Sequence, residues 1–286
     1  MIPDVASGYY GGTPDQVNLE ATVPLSDTAP CLSQKSNRRK FGVIVPSTNT
    51  IVEYEFWHMI TSNKALKGCG FHMGEILIRK VKWSDDAEML EFLDQLRLEL
   101  DHAVDRCCTA EPEFLIMGMS AETFFGGMKG NTEFREYLTN RTGLGVATGA
   151  EACYYALEAF KAKKPIKKIA VITPYQPVAD VEVKKFFEGL GYEVSEVFGF
   201  CCVGAVEIAH VTEEMLEKEV HRLNTEDVDA FVQCGTNLAF VELADRLENE
   251  IGKPIIAINA ATLWFALREN NITEPMHNCT RLCREF

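Results

Sequence analysis

The sequence has no apolar run long enough to cross a bilayer, which argues against a helical membrane span. It is short of positive charge: 28 Lys and Arg stand against 42 Asp and Glu, giving a net charge of -14 at pH 7. Phosphate backbones are held by clustered cations, so no nucleic-acid partner is expected. The one basic cluster, KSNRRK from Lys35 to Lys40, reads as the edge of a terminal arm. No G-x-G-x-x-G follows a strand, since GLGVATG (143–149) has the wrong spacing, and dinucleotide binding is set aside. His277, Cys279 and Cys283 have no second pair to complete four ligands, so no metal is expected. No charged-then-apolar signal segment opens the chain. The ten cysteines, including the neighbours Cys107-Cys108 and Cys201-Cys202, are therefore expected to be reduced thiols of a cytoplasmic protein.

What is present is an ordinary globular composition, 47% hydrophobic over 286 residues, enough for one large domain or two lobes. Residues 1–38, rich in Gly, Pro, Ser, Thr and Asp, read as a flexible N-terminal arm. Strands are expected at FGVIVP, FHMGEILI, FLIMG, KKIAVIT, YEVSEVFGF, AFVQC and KPIIAIN, alternating with helical segments. One long amphipathic helix is expected from Ser84, with Met89, Leu93, Leu96, Leu100 and Ala103 on one face and acidic residues in its first turn. Strands apolar on both faces, separated by helices, indicate an α/β fold with mainly parallel sheets.

The chain also resembles itself. GVIVPST (42–48) parallels AVITPYQ (170–176), FLIMGMSAETF (114–124) parallels AFVQCGTNLAF (230–240), and VATGAEACYYAL (146–157) parallels AINAATLWFAL (257–267). Three pairs in one order predict two pseudo-symmetric lobes with an active site in the cleft between them. The first lobe is expected over 39–160 and the second over 161–259. A C-terminal helix near 260–275 should pack back on the first lobe, leaving 276–286 as a tail.

Matching the lobes sets Gly118 opposite Cys234, Met119 opposite Gly235 and Ser120 opposite Thr236. Each turn precedes a helical segment, so free N–H groups there would favour a carboxylate. Hydroxyls of Ser120, Thr236 and Tyr175 add donors, and none of these turns carries Lys or Arg. Neutral donors of this kind also suit an enediolate. Only the second lobe supplies a thiol. The plainer readings are a buried thiol for Cys234, helix caps for Ser120 and Thr236, packing for Tyr175 and turn stabilisation for Asn49. Cys202 reads as structural, Glu122 and Asn237 as solvated or capping, and His210 as a surface residue.

VPSTNT, LIMGMSAETF, AVITPYQPV and VQCGTNLAF together resemble the aspartate/glutamate racemase superfamily, in its maleate isomerase and arylmalonate decarboxylase branch. The resemblance covers about residues 40–270. It implies a cofactor-free site between two lobes. Racemases and maleate isomerases of the superfamily place a cysteine on each lobe, whereas the decarboxylases have glycine on the first, as Gly118 and Cys234 do here. The decarboxylase pattern also implies that Met119, Ser120, Tyr175 and Gly235 hold a carboxylate, with Met119 where threonine is usual. Asn49 instead matches an asparagine of maleate isomerases. The expected function is decarboxylation of a small substituted malonate through an enediolate protonated by Cys234. The alternatives are maleate isomerisation or Asp/Glu-type racemisation by the same cysteine, and a two-lobed binding protein for small acids. The expected partner is a small dicarboxylate, and a homo-oligomer is left open.

Overall fold

The computed structural model describes residues 35–286 except 80, 81 and 84. The expected arm, apart from its last four residues, and the expected helix start at Ser84 lie outside them. Two four-stranded sheets organise the chain. The first comprises β1 (Arg39–Pro46), β2 (Cys69–Ile76), β3 (Phe114–Met117) and β4 (Val146–Ala147), in the order β2-β1-β3-β4. The second comprises β5 (Lys168–Thr173), β6 (Glu193–Gly199), β7 (Ala230–Gln233) and β8 (Ile255–Ala257), in the order β6-β5-β7-β8. All pairings are parallel, and the second order repeats the first strand for strand. The two pseudo-symmetric α/β lobes are thus present.

β3 and β7 are buried along their whole length, as central strands covered on both faces must be, and the edge strand β8 is buried as well. Their coverings are α1 (Ile51–Thr61), α2 (Asp86–Cys108), α3 (Ala121–Phe124), α4 (Gly127–Thr142) and α5 (Gly149–Lys161) in the first half. The second half has α6 (Pro177–Gly189), α7 (Glu213–Leu223), α8 (Val241–Ile251), α9 (Ile258–Glu269) and α10 (Arg281–Glu285). α2 is capped by Asp85, whose carboxylate accepts from Glu88 N at 2.9 Å. Its apolar stripe Met89, Leu93, Leu96, Leu100 and Ala103 is buried against β1 and β2. α4, between Phe124 and the next strand, has too weak an apolar stripe to be legible by spacing; only Asn131 and Leu138 are buried.

The lobes are tied together along three lines. α5 packs on α9, and α4 packs on α6. The chain entering α2 also crosses to the second lobe: Trp83 N donates to Val203 O at 3.0 Å, and Val178 N donates to Oδ1 of Asp86, the first residue of α2, at 3.0 Å. Among the described residues no helix is long and apolar enough to cross a membrane.

Candidate active site

The first residue after β3 is Gly118, and the first after β7 is Cys234. Their amides make equivalent bonds: Gly118 N donates to Ile44 O of β1 at 2.7 Å, and Cys234 N to Ile172 O of β5 at 2.9 Å. The two positions inferred from the repeat therefore correspond in space. They differ in room. A Cβ on Gly118 would lie 2.4 Å from Val45 Cγ1 and 3.1 Å from Ile44 O, so this turn excludes a side chain unless its neighbours move. Gly235 is fixed for another reason. Its φ is +107°, and a Cβ there would meet Pro174 Cδ at 2.4 Å.

The turns meet in one hydrogen-bonded cluster. Ser120 Oγ and Tyr175 OH are 2.6 Å apart, and Thr236 N donates to Ser120 Oγ at 3.2 Å. Thr236 Oγ1 donates to Gly118 O at 3.0 Å and accepts from Asn49 Nδ2 at 3.1 Å. Asn49 Oδ1 is occupied in accepting from Ile51 N and Val52 N at the start of α1. Ser120, Tyr175 and Thr236 are buried, and Asn49 is half-buried. All of these residues, with Met119 and Gly235, line a pocket of about 480 Å³ counted to its open mouth.

The helix N-termini do not serve the turns as expected. α3 has only four residues, and α8 begins seven residues after Cys234. The first amides of α8 are already taken: Phe240 N and Val241 N donate to Glu55 Oε1 at 2.8 and 2.9 Å. Any carboxylate in the pocket must rely on hydroxyls and turn amides instead.

Asn237, read as solvated or capping, is buried and lines the pocket; its Nδ2 donates to Ala205 O at 3.0 Å, and its Oδ1 accepts from Thr50 N at 3.1 Å. Glu122 is mostly covered and pairs with Arg97 at 2.8 Å. His210 is exposed. The other pocket residues escaped the sequence reading. Trp83, Met89, Phe92 and Leu96 form an apolar wall, with Trp83 and Phe92 rings 4.7 Å apart, joined by Ala205 and Ile208. On α2 these residues share the helical spacing of core residues, so no sequence signal separates the two roles. Cys202 is buried off the wall; its carbonyl accepts from Trp83 Nε1 at 2.6 Å and from Gln176 Nε2 at 3.1 Å.

Cys234 itself is fully buried, one residue from the wall at Gly235. Gln233 clasps the turn, its Nε2 donating to Cys234 O at 3.0 Å and Gly235 O at 2.8 Å. Burial raises the thiol well above its ordinary range, and Cys153 and Asp180 add to the shift. The Tyr175 hydroxyl is also raised, by burial first and by Cys234 second. At neutral pH Cys234 is a protonated thiol.

The arylmalonate decarboxylase family model matches residues 109–283. The maleate isomerase of Nocardia farcinica is 22% identical over 254 residues, 86% of this chain and 96% of that one. Among solved structures, the fold is shared with a cysteine-to-serine variant of the Nocardia farcinica maleate cis-trans isomerase bearing a covalently bound succinylcysteine intermediate. That likeness has a TM-score of 0.76 and 22% identity, covering 87% of this chain and 99% of that one. A doubly substituted arylmalonate decarboxylase in its liganded form, with a cysteine replacing glycine and a serine replacing cysteine, matches with a TM-score of 0.74 and 16% identity. It covers 87% of this chain and 100% of that one. The matched stretch of the family model takes in both site turns and more than half of the sequence, and the chain belongs to the arylmalonate decarboxylase family.

Proposed function

We propose that the protein decarboxylates a malonate bearing an apolar substituent, without a cofactor, and protonates the product carbanion from Cys234. The observation that carries this reading is the division of the pocket. One neutral donor cluster stands beside an apolar wall, and no Lys, Arg or His lines it among the described residues.

The retained carboxylate would take over the donors that Ser120, Tyr175 and Thr236 N now share with one another, with the Met119 and Gly235 amides adjacent. The second carboxylate, against Trp83, Phe92 and Leu96, would be poorly solvated there, which favours loss as carbon dioxide. The bonding electron pair passes to the α-carbon and is delocalised into the retained carboxylate as an enediolate. The same donors then stabilise it. Cys234 gives its proton to the α-carbon and is reprotonated from solvent. A thiol raised by burial suits this acid role.

Cis–trans isomerisation of maleate is the second reading, supported by Asn49 on the wall and by the maleate isomerases among the relatives. It fits less well. Both carboxylates would be retained, yet the pocket has one donor cluster, and a nucleophilic thiolate requires a low pKa.

Proton NMR in D2O with phenylmalonate, methylmalonate, maleate and both aspartate enantiomers separates the readings. Loss of carbon dioxide with one deuterium gained is expected. Fumarate from maleate would replace this reading with isomerisation, and α-exchange without carboxyl loss would replace it with racemisation. No change in any sample would favour a binding protein.

A further inference from the structure

Glu55 of α1 carries a buried carboxylate that makes no ion pair among the described residues. Beyond the two α8 amides on Oε1, its Oε2 accepts from Asn259 Nδ2 at 2.6 Å. The same Asn259 nitrogen donates to Thr236 O at 2.9 Å. Thr236 in turn supplies the amide that reaches Ser120 Oγ. We infer that Glu55 is a positioning residue of the active site, acting through Asn259 to hold the Thr236 peptide beside Cys234.

The donor and acceptor count makes this specific. An ionised carboxylate only accepts, and all three bonds to Glu55 need an acceptor. They orient Asn259 with its nitrogen toward both Glu55 and Thr236 O. A glutamine or a protonated glutamate keeps one accepting oxygen for the α8 amides and turns a donor toward Asn259 Nδ2. Asn259 must then turn over, which sets its oxygen against Thr236 O. The helix cap survives, and the anchor of the active-site turn is lost.

Burial raises the Glu55 carboxyl to about 7, against the lowering effect of its three hydrogen bonds. Glu242 at the start of α8 faces it and adds to the rise. On the elements packed around it, α9 has no charged group before Arg268 and Glu269 at its far end, Lys64 lies in the turn after α1, and α1 itself carries Glu53 and His58.

The test uses Glu55→Gln, Asn259→Ala and the double variant, and its first readout needs no substrate. Iodoacetamide labelling of Cys234, followed by peptide mass spectrometry with exposed Cys201 as internal reference, should accelerate about tenfold in each single variant, as loss of one buried hydrogen bond predicts. The double variant should label no faster than Asn259→Ala. The second readout is turnover on whichever substrate the NMR survey identifies. In the wild type kcat should fall on the acid side with a midpoint near 7. Glu55→Gln should lower kcat about tenfold and lose that acid limb. Unchanged Cys234 labelling in Asn259→Ala, or additive effects in the double variant, would overturn the inference. The turnover arm rests on the proposed decarboxylation. Should no substrate react, that reading fails while the labelling arm still decides this one, and Asn259→Ala decides it even if Glu55→Gln does not fold.

Discussion

Gly118 and Cys234 occupy equivalent backbone positions, with one amide each donating to the first strand of its own sheet, and yet only one has space for a side chain. The asymmetry is therefore packed into the first lobe by Val45 as well as written in the sequence. Gly118→Cys should cost about 1–3 kcal/mol by overpacking, and Gly118→Cys with Val45→Ala should recover most of it. Thermal unfolding of both variants checks this. Cys234→Ala should reduce decarboxylation about a thousandfold or more with the melting temperature little changed, since a thiol-sized cavity is small. Substantial remaining turnover in that variant would remove Cys234 from the mechanism. At this scale the sequence exposed Cys234, Ser120, Tyr175 and Thr236 because each sits in a strand-to-turn motif. It hid Glu55 and Asn259, which meet across 204 residues of chain and whose residue types read as a solvated charge and a helix-start amide.

α2 has two tasks on one face. Its stripe closes the first lobe, and at its N-terminal end Met89, Phe92 and Leu96 turn that same stripe into the pocket wall. Hydrophobic periodicity reports burial and is silent on whether the burying surface is protein or ligand, which is why the wall was illegible before the fold was known. Substrate preference should follow this element. Phe92→Leu should shift kcat/KM toward malonates with bulkier substituents by about tenfold, measured as the ratio for naphthyl over phenyl substrates. The entry to α2 is separately adjustable: Asp85→Ala removes the cap on Glu88 N and should cost about 1 kcal/mol in denaturant unfolding.

At the scale of the whole molecule, three carboxyls among the described residues are raised to about 7: the buried Glu55 and Glu248 and the half-buried Asp180, each chiefly by desolvation. Groups raised in the folded state contribute stability that is complete below their unfolded values and is lost as pH climbs through the folded ones. The urea midpoint should therefore be higher at pH 5.5 than at pH 8, and a flat profile across that range would contradict the assignment. The two-lobed architecture was legible because three motif pairs recur in one order, and the identical strand order of the two sheets is their structural counterpart. What no repeat announces is where the closing helices go. α5, from the first half, abuts β8, and α9, from the second, abuts β3 and β4 while packing on α5. Each half thus borrows a helix from the other. An ancestor of half the length would have needed two copies to cover one another's sheets, so the cleft would have existed from the outset as a property of the pair.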